Sequence, residues 1–111
     1  SPLAGGLLAG KTGDNHGRRQ AEGMQSALRE RAEQLDKFHA LCANLEQTTS
    51  CIALAWLLHQ PGVAATIIGP GSVGQLESVL HVPEIQLSTA TLGQIDEIFP
   101  PCGEAPEAYA W

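Results

Sequence analysis

Beyond Lys37 the chain contains no lysine or arginine. All six basic residues (Lys11, Arg18, Arg19, Arg29, Arg31 and Lys37) precede residue 38, and seven acids follow it. Affinity for a polyanion that ignores sequence comes from clustered cations, so this distribution, with a net charge of −6, argues against a nucleic-acid partner. Long apolar runs are also missing. The longest, "IALAWLL" at Ile52 to Leu58, is far below the ~20 residues of a membrane-spanning helix, and no basic segment leads into a signal-like core. The expectation is no membrane partner. Cysteine is scarce: Cys42, Cys51 and Cys102 are odd in number and form no C-x-x-C pair. That excludes a disulfide framework and favours reduced thiols in a cytoplasmic setting. What remains is 111 residues with 43% hydrophobic content, enough for one small domain. The first residue is Ser rather than Met, which fits a processed, excised or fragmentary chain.

Periodicity then divides the chain. Residues 1–24 hold half of its twelve glycines and read as a loop leaving a preceding element. From Ser26, Leu28, Ala32, Leu35, Phe38, Cys42 and Leu45 recur at spacings of three and four, which predicts an amphipathic helix. "TTS" at Thr48 to Ser50 offers a cap, and "CIALAWLLHQ" runs apolar on every side until Pro61-Gly62 stops it, so this helix is expected to be buried. "AATIIG" reads as a strand covered on both faces, as in a parallel sheet. Ser72 and Gln75 form a capping-box pattern for a helix reaching about Leu80, and "HVPEIQL" reads as extended. A last helix, with Leu92, Ile95, Ile98 and Phe99 on one face, starts at Ser88 or Thr89 and ends at Pro100-Pro101. A single parallel-type strand has no ladder partner, so the chain reads as part of a larger α/β domain.

The chemistry is concentrated in glycine-rich turns. "ATIIGPGSVGQLES" spells G-x-G-x-x-G at Gly69, Gly71 and Gly74, between a predicted strand and a predicted helix. A dinucleotide fingerprint also needs a second parallel strand ending in an acid about 20 residues on. Glu84 precedes its weak segment rather than ending it, and Gly74 lies within the capped helix. A simpler functional reading places an anion at the helix N-terminus near Ser72, approached across Gly69 and Gly71. The bland alternative is a tight connection with no ligand. Elsewhere, His39 and Cys42 stand at i, i+3 without a third metal ligand at suitable spacing. His16, His59 and His81 are isolated, Trp56 reads as a core anchor, and no G-x-S-x-G context supports a hydrolase triad.

A second glycine-rich stretch, "SPLAGGLLAGK", changes the weighing. Together with "ALAWLLHQPGVAATIIGPGSVGQLES" it resembles the C-terminal part of the aldo/keto reductases, especially the bacterial and potassium-channel β-subunit-like branch; the tail "IDEIFPPCGEAPEAYAW" is similar to that of actinobacterial members. The resemblance covers almost all of residues 1–111. It implies an α/β fold, the C-terminal fragment of a (β/α)8 barrel: the end of strand seven with its loop at 1–24, helix seven, strand eight and helix eight at 64–80, a C-terminal helix, and a tail at 100–111. It implies NADP(H) as cofactor, with NAD(H) not excluded, and a small aldehyde or ketone as substrate. By similarity Ser1, Pro2, Leu3, Ala4 and Gly5 line the nicotinamide-pyrophosphate region with Lys11 beyond, while Gly69, Gly71 and Gln75 fall at the adenosine end. Relatives carry Arg where this chain has Gly71, and an acid then Asn where it has Ser78 and Val79. The family's catalytic Tyr, Asp, Lys and His come from earlier strands, and Tyr109, in the tail, matches none of them. The alternative expectation is a non-catalytic remnant, or a fragment needing a partner chain to complete its barrel.

Overall fold

The structure, a computed structural model, describes residues 1–10 and 22–101. Five helices carry it: α1 (Glu22–Glu30), α2 (Ala32–Asn44), α3 (Thr49–Leu58), α4 (Val73–Glu77) and α5 (Thr89–Ile98), with short 3-10 turns at Ala4–Gly6 and Val82–Glu84.

The expected amphipathic helix is present, begins earlier than Ser26, and bends once. Arg31 leaves helical geometry (φ −108°, ψ 15°), yet Arg31 N–H still reaches Ala27 O at 3.1 Å and Leu35 N–H reaches Arg31 O at 2.9 Å. The hydrogen-bond ladder therefore passes through the bend. Leu35, Phe38 and Cys42 are buried as their spacing requires, whereas Ala32 faces solvent.

The helix apolar on all sides is the centre of the molecule. Thr48 Oγ1 accepts from Cys51 N–H at 3.2 Å, capping α3. Cys51 through Ala55 are then buried without interruption. α2, α5 and the Val82–Glu84 turn surround this run, contributing Phe38, Cys42, Ile95 and Val82 to one core. α5 starts with Ser88 Oγ accepting from Thr91 N–H at 3.1 Å. It ends before Pro100, where Gln34 Nε2 donates to Ile98 O at 2.9 Å and satisfies an otherwise orphan terminal carbonyl. Phe99 meets Phe38 edge to face, centroids 5.5 Å apart.

Three expectations are corrected. "AATIIG" forms no strand: among the described residues there is no β-ladder, and residues 63–70 have no regular structure. A strand exists only through pairing, and none of the described residues pairs with this segment. Its side chains lack the cover a two-sided buried strand would have, with Ile67 89% exposed. The helix after Ser72 stops at Glu77 rather than near Leu80. Ser78 Oγ turns back onto Gln75 O at 2.8 Å, and the next N–H groups, of Val79 and Leu80, reach only three residues back. "HVPEIQL" is not extended throughout, because Val82–Glu84 is a 3-10 turn that buries Val82. The tail beyond Pro101 lies outside the described residues.

Candidate functional site

The residues singled out in the sequence fall in two turns. In the first, Ser1 Oγ accepts from Gly5 N–H at 2.8 Å, and Ala4 N–H bonds Ser1 O at 3.0 Å. Gly6 and Leu8 N–H both bond Leu3 O, at 2.9 and 3.2 Å. Ala4, Gly5 and Gly6 have successive positive φ values of 49°, 67° and 110°. A side chain rarely tolerates that region, so the turn uses glycine where the chain reverses most sharply and strains Ala4. Leu3 and Leu8 pack against the core, so the turn is anchored by its apolar side chains, with its polar backbone bonds closed on itself. Lys11 lies outside the described residues.

A neighbouring position was not visible in the sequence. Gly10 has φ 73°, and a β-carbon there would stand 2.7 Å from Thr49 Oγ1. Thr49 is buried at the start of α3, so Gly10 lets the first loop press against that helix. The only sequence signal was its being the third glycine of "GGLLAG".

The second turn is a variant of the expected capping box. Ser72 Oγ accepts from Gln75 N–H at 3.2 Å, and Gln75 Oε1 accepts from Gly71 N–H at 2.7 Å, one residue before the position that usually closes the reciprocal pair. The Gly71 amide, beside the helix N-terminus expected to face an anion, is thereby held by the chain's own carboxamide. Gly69, Gly71 and Gly74 all lie outside the left-handed region, and a β-carbon would meet nothing within 4 Å at Gly69 or Gly74. A fingerprint needs a glycine for its tight turn and a strand before it; none of these three has a positive φ and residues 63–70 form no strand, which argues against the Rossmann reading.

The remaining polar groups are structural. His59 Nε2 accepts from Leu87 N–H at 3.2 Å, which places the ring proton on Nδ1, where it donates to Ala55 O at 2.8 Å. The imidazole thus caps α3 and ties it to the segment entering α5. His81 Nε2 meets Gln47 Oε1 at 3.0 Å. This pair borders a hollow of about 360 Å³, which shares no residue with either turn. Burial pushes the Cys42 thiol up to about 12, so it is neither a thiolate nucleophile nor a ready ligand. Cys51 Sγ, also buried, donates to Ser78 O at 3.3 Å. Among the described residues no three His, Cys, Asp or Glu side chains gather to hold a metal ion, so His39 and Cys42 gain no third ligand. No described helix is long and apolar enough to cross a membrane.

A dinucleotide fits this arrangement in part. The open backbone at Gly6 and Gly69, where a β-carbon would touch nothing, suits close approach by a large ligand. The second turn offers no cation to a phosphomonoester: residues 38–101 hold no lysine or arginine.

Both turns lie within one homologous unit. The sequence profile of the aldo/keto reductase family matches residues 1–99, and the chain belongs to that family. It is 46% identical over 113 residues to the uncharacterized oxidoreductase YrpG of Bacillus subtilis (strain 168), a match covering 100% of this chain and 34% of that protein. The uncharacterized oxidoreductases Mb2320 of Mycobacterium bovis and Rv2298 of Mycobacterium tuberculosis are each 39% identical over 93 residues, covering 79% of this chain and 28% of theirs. The chain therefore spans about a third of the length of these relatives.

Proposed function

We propose that residues 1–111 are the C-terminal, cofactor-facing part of an oxidoreductase barrel that reduces small aldehydes or ketones with NADP(H) or NAD(H). The observation that carries this reading is the family match over residues 1–99, a span that includes both glycine turns. Residues 64–80 would supply strand eight and helix eight. When bound, the dinucleotide supplies or accepts hydride. The part played by this chain is binding and shape. Ser1 to Gly5 form a self-bonded turn held rigid against the core by Leu3, a surface that can position a flat ring without spending hydrogen-bond donors on it. Gly69 and Gly71 keep the second turn low, and Gln75 holds its backbone. The proton donor for carbonyl reduction would come from elsewhere in the barrel.

Titration of NADPH and NADH into the complete polypeptide that carries these residues tests the assignment. Saturable binding, weakened by replacing Lys11 and Gln75 with Ala, is expected. No binding, or binding unmoved by both replacements, would sink it.

A second reading, a non-catalytic remnant or a fragment completed by a partner chain, is favoured by one observation: Ile67, Val73 and Leu80 are 89%, 72% and 65% exposed. Size-exclusion chromatography and thermal melting of residues 1–111 alone discriminate. A monomer that melts cooperatively counts against dependence on a partner.

A further inference from the structure

Resting on the dinucleotide reading above, we propose that the Gly69–Gln75 turn does not select for a 2′-phosphate, so that the protein takes NAD(H) at least as readily as NADP(H). A phosphomonoester carries close to two negative charges at neutral pH, and proteins meet that charge with guanidinium or ammonium groups. Here the turn's own sequence has the opposite sign. Residues 69–78 contain one charged side chain, Glu77, and it is an anion. Two of the turn's backbone donors are engaged within it: Gly71 N–H by Gln75 Oε1 at 2.7 Å and Gln75 N–H by Ser72 Oγ at 3.2 Å.

Packing does not impose this poverty. The φ of Gly71 lies outside the left-handed region, and a β-carbon there would meet only Gln75 Oε1, at 3.5 Å, an ordinary contact. The position accepts a side chain and the chain places none there. Glycine at 71 is thus a chemical property of the turn rather than a requirement of the fold.

Equilibrium binding of NAD⁺ and NADP⁺ to the complete polypeptide, followed by calorimetry, tests this alongside the Gly71→Arg variant. The unaltered protein is expected to bind the two dinucleotides within about threefold of each other, or NAD⁺ more tightly. The variant should tighten NADP⁺ by about tenfold or more and leave NAD⁺ unchanged, as a new charge-assisted hydrogen bond implies. NADP⁺ bound tenfold more tightly than NAD⁺ by the unaltered protein overturns the proposal. So does an Arg variant with unchanged NADP⁺ affinity, which would place the 2′-phosphate elsewhere. Failure of both dinucleotides to bind has a different meaning: the cofactor reading itself falls, and this inference with it.

Discussion

Two stretches of almost equal apolar character meet opposite fates. "CIALA" at Cys51 to Ala55 is buried to the last residue, with Ile52 and Ala55 at 0% exposure. "AATIIG", further along the chain, leaves Ile67 at 89%. A helix satisfies its own backbone and needs only side-chain partners, which α2, α5 and the Val82 turn provide. A strand needs a second backbone beside it before it can bury anything. Of the polar atoms buried without a hydrogen-bond partner among the described residues, Thr66 Oγ1 lies in this same segment, and Trp56 Nε1 belongs to the half-buried end of α3. Both are where a neighbouring element would be expected to finish the structure.

The sharpest way to break the contrast is to truncate one isoleucine from each stretch. Ile52→Ala should cost about 2–5 kcal/mol, the range for large-to-small changes in a closed core. Ile67→Ala in the same chain should leave the urea midpoint unmoved, because its side chain buries little. Equal losses would show that the second stretch is covered in solution.

His59 ties the buried helix to the segment entering α5, and His59→Ala should cost about 1–3 kcal/mol, since it leaves Leu87 N–H without its acceptor. Faster amide exchange at Leu87 than at Thr91 would localise the effect to that bond.

Alkali should attack the core side of the comparison. The folded Cys42 thiol, held up to about 12 by burial, lies above the ordinary 9.0. A raised value means that stability is intact below the unfolded value and is lost as pH climbs through the folded one, a window from about pH 9 to 12. Cys42→Ala should flatten that limb of the stability-against-pH curve measured by circular dichroism. An identical limb in the variant would assign the loss to other groups.

The smallest effect belongs to the surface. Lys37 Nζ and Glu33 Oε1 are 2.7 Å apart but well exposed. The lysine holds the Glu33 carboxyl below its ordinary range, yet solvent screens such pairs. Lys37→Ala should leave Tm unchanged within error, and a clear drop would show that α2 depends on this pair.

Helices were legible because their signals are local. Thr48, Ser72 and Ser88 each cap as their hydroxyls and positions predict, and the three-and-four spacing of Leu35, Phe38 and Cys42 marks the buried face. The 3-10 turn at Val82–Glu84 was not legible, because it answers to the packing of Val82 in the core, and no local pattern marks the bend at Arg31. The strand expected at "AATIIG" does not form among the described residues for a related reason: β-branched composition reports suitability for a sheet, while pairing depends on another segment. In the candidate site, S-x-x-Q foretold the Ser72–Gln75 bond. No pattern foretold that Gln75 would take Gly71 N–H, or that Gly10 would press on Thr49.

The clamp at His59 has an evolutionary consequence. It brings the end of α3 to Leu87, and Cys51 fastens Ser78 to α3, so residues 64–77 leave and return at a fixed base. Closing such a loop grows costly only slowly with length, by about 0.6 kcal/mol per doubling. Insertions near Gly69 to Ser72 are therefore cheap for the helical core, and that turn can be rewritten by descent while the scaffold is inherited unchanged.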